Sequence, residues 1–196
     1  SAPDYGSGGY RFESCRGHSK QKASLLGGFF IWYLNVYLNI IKNKMPKIVS
    51  ININENGGVP KYPVNQAYIG KYRVTGDKQN DLKHHGGENR AVCLYSIELI
   101  TDLKNEGHPI FAGSTGENIT IQGLDWSSLK KGDVIVMGEV KIELTKPTPP
   151  CKTIAKSFIN EKFVRISENK YPGWSRWYAK VLKEGIVHVH EKVCFR

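Results

Sequence analysis

Three stretches of the chain carry residues that can do chemistry. The first, residues 75–90 (TGDKQNDLKHHGGENR), gathers two Asp, two adjacent His, a Gly pair and three basic residues. Neighbouring side chains of an extended strand point to opposite faces, so His84 and His85 cannot both enter one site there. Gly86 and Gly87 let backbone amides approach a ligand closely. Asp77, Asp81, His85 and Arg90 can then hydrogen-bond a polar heterocycle or hold a phosphate, although a solvated loop with a Gly turn has the same composition. The second stretch, residues 146–152, is KPTPPCK. Its prolines stiffen the approach to Cys151 and remove backbone donors. A cysteine at the start of a helix sits by the positive end of the helix dipole, which favours thiolate, and Lys146, Lys152 and Lys156 add positive charge. Such a thiolate can attack an electrophile, carry a sulfur atom or bind a soft metal; a buried structural cysteine is the competing reading. The third stretch, residues 113–124, is GSTGENITIQGL, where Glu117 and Asn118 can line a pocket or simply stabilise a tight turn.

These residues need elements to position them. Residues 47–53 alternate as a half-buried strand does, and Asn56-Gly57-Gly58 breaks it. The apolar run 91–95 ends at Ser96, which can cap a helix to about Glu106, with Gly107 at its end. Residues 118–122 read as a strand closed by Gly123. Residues 133–137 and 140–145 read as a hairpin around Gly138-Glu139. Residues 147–150, with three prolines, are excluded from a central strand. A short helix is expected from Cys151 to about Ser157. Trp174, Trp177, Tyr178, Val181 and Leu182 fall at helical spacing, so residues 174–182 are expected as an amphipathic helix. Residues 186–193 alternate as a final strand. Many short strands with a few helices between them predict a mainly β fold, a closed β-barrel with peripheral helices.

Weaker signals surround these. His188 and His190 share one strand face without an evident third metal ligand. Cys93 lies in an apolar run and reads as core. There is no P-loop, GxGxxG or GxSxG. Four cysteines in 196 residues, with no CxxC, fit reduced thiols and a cytoplasmic protein. The formal charge of +10 is uneven: residues 1–44 hold six bases and two acids, and the remainder holds 22 and 16. A mildly basic domain suits an anionic ligand or a nucleic acid and identifies neither.

Residues 1–44 read differently from 45–196. Residues 23–41, ASLLGGFFIWYLNVYLNII, are mostly apolar and flanked by lysines, which fits a membrane anchor, weakened by Asn35 and Asn39. The run SGGYRFESCRGHS instead resembles the end of a transfer-RNA gene read as protein, with Met45-Pro46-Lys47 as the natural start. A helix is expected over about 25–41 on either reading. The domain is assigned to 45–196.

The three stretches occur in a specific order. Gly76-Asp77, Gln79, Asp81, His85-Gly86-Gly87 and Arg90-Ala91-Val92 come first. Gly116-Glu117-Asn118 and Gly123-Leu124 follow, then Gly132-Asp133 and Pro150-Cys151. That order resembles the MOSC family, named for the C-terminal domain of molybdenum cofactor sulfurase, in its small stand-alone bacterial form. The resemblance covers nearly all of 45–196 and none of 1–44. One position departs: relatives often have Pro-Arg-x-Pro-Cys where this chain has Pro147-Thr148-Pro149-Pro150-Cys151. The loss of that arginine removes an oxo-anion contact, for which Lys146 or Lys152 would be a less specific substitute.

The resemblance implies a β-barrel that binds a molybdopterin-type molybdenum cofactor. It implies Cys151 as metal ligand and catalytic residue, or as sulfur carrier. Asp77, His85, Gly86, Gly87, Arg90, Glu117 and Asn118 would hold the cofactor or substrate. Reduction of N-hydroxylated bases or amines is the expected reaction, with electrons from an external donor protein because no flavin or iron–sulfur motif is present. Pyridoxal phosphate is not expected, since the sulfurase chemistry that uses it belongs to a separate domain. Two alternatives stand: a carrier with a persulfide or the cofactor on Cys151, and a barrel that binds nucleic acid. No nucleic-acid partner is expected on the first reading, and a membrane partner only if 23–41 is an anchor.

Overall fold

The computed structural model describes residues 45–80 and 86–195. Asp81, His84, His85, the apolar run 23–41 and the helix expected within it lie outside the described residues. Among the described residues, no helix is long and apolar enough to cross a membrane.

Ten strands form in chain order: β1 (Lys47–Ile53), β2 (Tyr62–Val64), β3 (Gln66–Ile69), β4 (Val92–Ser96), β5 (Ile119–Gln122), β6 (Val134–Met137), β7 (Val140–Thr148), β8 (Arg176–Lys183), β9 (Gly185–His188) and β10 (Val193–Phe195). Eight of them make one sheet in the order β10-β6-β7-β8-β4-β5-β1-β2, and β3 pairs with β9 separately. The expected closed barrel is therefore wrong: the sheet is open and mixed, with the three-residue strands β10 and β2 at its edges. Backbone bonds from Val193 N–H to Pro46 O (2.8 Å) and from His190 N–H to Ile48 O (2.8 Å) tie the start of β1 to the approach of β10. Only an isolated bridge, Lys47 to Lys192, forms there, and no ladder completes the circuit. Short strands and turns specify local pairing; they do not specify which edges meet.

The sheet is mixed because β4 and β5 are parallel. Parallel neighbours need a crossover, which α1 (Ile97–Asn105) supplies. Ser96 caps α1, its Oγ accepting from the Glu98 and Leu99 amides, and Ile100 and Leu103 are buried. This expected helix forms as read.

The amphipathic helix expected over 174–182 is instead the strand β8. Arg176 to Ala179 are all buried, between β7 and β4. A strand covered on both faces shows no alternation, and its aromatic spacing imitates a helical stripe. The proline exclusion also needs correcting, because β7 runs through Pro147 to Thr148. There β6 has already ended, at Glu143, so Pro147 faces only Trp177 of β8 and its missing N–H breaks no second ladder. The final strand is divided into β9 and β10 by a turn in which His190 takes φ 72°. His188 and His190 thus do not share a strand face, and among the described residues no three His, Cys, Asp or Glu side chains are grouped to hold a metal.

Candidate functional site

A cavity of about 240 Å³ lies where the C-terminal end of β7, the first residues of β8 and the beginning of β4 meet three loops. Asp77, Gly86, Arg90, Asn118 and Cys151 all line it. The structure therefore brings together five of the eight residues marked from sequence. His85 lies outside the described residues. Gly87 is exposed beside Gly86, and Glu117 stands behind the wall.

Asp77 organises one side. It is 3% exposed. Its Oδ1 accepts from the Asn54 amide (2.9 Å), and its Oδ2 accepts from Lys61 Nζ (2.6 Å) and Asn118 Nδ2 (2.9 Å). A buried carboxylate is tolerated where a cation and further donors satisfy it. Asn118 in turn locks the loop to β4: its Oδ1 accepts from the Cys93 amide (3.2 Å), and its own N–H donates to Cys93 O (2.7 Å). Asn118 and Asp77 therefore hold the wall in shape, with their polar edges partly spent on each other.

Glu117 is fully buried. Its two oxygens accept from the Gly113 amide (2.6 Å) and from Thr115 Oγ1 (2.7 Å), which tightens the turn before β5. Gly113 is required there: it takes φ 89°, and a Cβ would strike the Lys61 carbonyl. Gly86 is constrained by its φ of 87°, which L side chains rarely adopt, and a Cβ there would displace the end of the flexible Gln79 side chain.

Cys151 precedes a six-residue 3-10 helix, Lys152–Ser157. The expected short helix forms, but as two tight turns with weaker hydrogen-bond geometry than an α-helix. The Cys151 thiol is half-buried, with Sγ 2.8 Å from Thr153 Oγ1. Ser157 Oγ donates to Ser114 O (2.9 Å), which docks this segment against the glycine turn. Lys146, Lys152 and Lys156 are exposed, and none of them lines the cavity.

Lys61, Cys93, Arg176 and Tyr178 also line the cavity, and the sequence pointed to a site role for none of them. Cys93 is core, as expected, yet it also faces the cavity, 3.7 Å from Thr148 Oγ1. Burial pushes its thiol pKa up. Burial also pushes the Tyr178 hydroxyl above its ordinary range, with the neighbouring Cys93 adding to the effect, so Tyr178 keeps its proton at neutral pH. Arg176 is 4% exposed and donates through Nη1 to Thr115 O, while its buried Nε has no partner. Its signal was hidden by its assignment to a helix; as the first residue of β8 it stands directly across from Thr148.

A half-buried thiol and a buried guanidinium with an unpartnered Nε around one cavity suit a ligand with a soft metal and an anionic group. Such a donor set fits a pterin-type molybdenum cofactor.

The comparisons agree with the family resemblance. The model of the MOSC domain matches residues 81–194. The chain is 34% identical to the YflK protein of Bacillus subtilis over 134 residues, which is 66% of this chain and 59% of that protein. It is 29% identical to the YiiM protein of Escherichia coli over 118 residues, 58% of this chain and 52% of that one. The aligned segments thus span little more than half of these relatives. Among solved structures, YiiM from Geobacillus stearothermophilus superposes with a TM-score of 0.59 at 26% identity, covering 77% of this chain and 75% of that one. With the ordered motifs, the cavity they line and a family match over most of the described residues, this chain belongs to the MOSC domain family.

Proposed function

We propose that the cavity binds a molybdopterin-type molybdenum cofactor through Cys151 and that the protein reduces N-hydroxylated compounds. The observation that carries this reading is the Cys151 thiol on the wall of a cavity that also holds the buried guanidinium of Arg176. When bound, the cofactor would supply two-electron chemistry at the N–O bond. The chain's own part is to bind and orient. Asp77, held by Lys61 and Asn118, keeps the loops at fixed spacing. Arg90 and Arg176 place positive charge beside an anionic ligand. Tyr178 retains its proton and can donate it in a hydrogen bond to a substrate oxygen or nitrogen. Electrons would come from an external donor protein.

The test is molybdenum content and reductase activity of the full chain, purified from a host that makes the cofactor. We expect near-stoichiometric molybdenum, reduction of a hydroxylamine substrate, and loss of both in Cys151→Ser. A Cys151→Ser protein that reduces hydroxylamines at the full rate would sink the reading. A persulfide on Cys151 without reductase activity would replace it with the carrier role.

A further inference from the structure

Arg176 poses a problem that the folded chain alone does not solve. A guanidinium carries five N–H donors and a permanent charge. Arg176 is 4% exposed; among the described residues its Nη1 donates to Thr115 O, and its buried Nε has no partner. No ion pair links it to a carboxylate among the described residues. Both oxygens of the nearby buried Glu117 are already bonded, to Gly113 and Thr115. Across the cavity Lys61 and Asp77 pair with each other at 2.6 Å, so that cation is matched by its own anion. Burying a charge with donors unmet is unfavourable, and a ligand that meets those donors offsets the cost.

The placement of Arg176 is set by strand register. In the β7–β8 ladder Thr148 and Arg176 are directly opposed. Opposed residues of an antiparallel pair project on the same face, about 5 Å apart. Thr148 is also the position at which this chain departs from the Pro-Arg-x-Pro-Cys pattern, three residues before Cys151. A guanidinium at 176 therefore enters from β8 the space that a side chain at 148 would enter from β7. The small Thr148, which is fully buried, leaves room for it.

We propose that Arg176 is the oxyanion-binding residue of this cavity, placed by the Thr148–Arg176 cross-strand pair to hold a phosphate or carboxylate group beside Cys151. Arg176 lines the cavity, its guanidinium donates to the ligand oxygens, and the charge favours a dianion over a monoanion. The oxyanion belongs either to a bound cofactor or to the substrate. The seat needs no molybdenum, so it stands or falls apart from the reductase reading.

The experiment is calorimetric titration of the full chain, made without the cofactor, with inorganic phosphate. Wild type should bind one phosphate saturably with a Kd in the range of about 1 mM or tighter. Arg176→Met should weaken this by about tenfold or more, with Arg176→Lys intermediate. Circular dichroism and Tm report whether each variant folds. The exchange variant Thr148→Arg/Arg176→Gly keeps one guanidinium in the same space, and it should recover the binding that Arg176→Gly alone loses. It also serves if Arg176→Met does not fold. Repeating the titration on cofactor-loaded protein separates the two sources: a cofactor phosphate in the seat abolishes binding of free phosphate, whereas a substrate seat still takes it. Absence of saturable phosphate binding by the wild type, or equal binding by folded Arg176→Met, would overturn the proposal.

Discussion

The two cavity cysteines have different chemistry because their surroundings differ. Cys93 is a residue of β4, 5% exposed, and burial holds its thiol above the ordinary range. Cys151 is half-buried beside the exposed Thr153. Thiolate, not thiol, is the reactive form, so reaction requires both access and deprotonation. Brief treatment of the native full chain with iodoacetamide near pH 7 should therefore label Cys151 and the exposed Cys194, and label Cys93 only after unfolding. Peptide mass mapping reads the three sites separately. Equal labelling of Cys93 and Cys151 would show that the wall of β4 opens as readily as the cavity mouth. At this scale the sequence was informative where a residue type is rare and its neighbours constrain it, as for Cys151 after its prolines and Asp77 beside Gly76. It was silent for Arg176 and Lys61, whose roles come from partners 61 and 16 positions away, Thr115 and Asp77.

Elements decide whether those residues arrive together. The helix α1 was legible because its signals are local: Ser96 supplies the cap, and the Gly107 N–H bonds to Lys104 O just past the end. Removing the cap hydroxyl in Ser96→Ala should cost about 1 kcal/mol, read as a lower denaturant midpoint at unchanged slope. The strand β8 was not legible, because its burial on both faces is created by β4 and β7 and cannot be seen in its own periodicity. Its start is instead fixed by a clasp from the preceding segment. Arg165 makes two bonds to Glu106, from Nε (2.9 Å) and Nη2 (2.6 Å), and its guanidinium lies 3.6 Å from the Trp174 ring centroid. Trp174 O then accepts from Tyr95 Oη at 3.1 Å, two residues before Arg176. The Arg165 bonds hold the Glu106 carboxyl below its usual range. A lowered carboxyl pKa adds stability that is present above the unfolded value, about 4.3, and is lost as pH falls through the folded one. Because Glu106 is partly exposed, wild type should exceed Glu106→Gln by only about 0.5–1 kcal/mol at pH 7. The difference should shrink to nothing on acidification below about pH 4. A constant difference across that range would assign the loss to packing instead.

At the scale of the whole molecule, the open sheet raises the question of what holds its ends near each other. The strand order places β1 and β10 far apart, yet residues 190–193 donate two backbone bonds to residues 46–48, and Ile48 N–H returns one to Glu191 O at 2.9 Å. This seam has no ladder beyond the Lys47–Lys192 bridge, so it rests on few bonds and on the side chains beneath them. Val193, 3% exposed, and Ile48, fully buried, are both part of the hydrophobic core under the seam. The mainly β composition was legible from turn spacing, but that the sheet stays open was not, because the meeting of its edges depends on long-range bonds that no local motif encodes. Truncating the buried side chain in Val193→Ala should cost about 1–2 kcal/mol, the transfer term of its lost methyl groups plus a small cavity. The cost should fall unevenly. Local openings expose amides held by few neighbours before those in the centre of a sheet. Amide exchange at Ile48, His190 and Val193 should therefore accelerate more than exchange at Leu94 and Ala179, which lie in the central strands β4 and β8. Equal acceleration at both places would mean that the seam opens only when the entire sheet does. The edges would then be joined energetically although no ladder joins them, and the cavity on the β7–β8–β4 side would share its stability with the far edge.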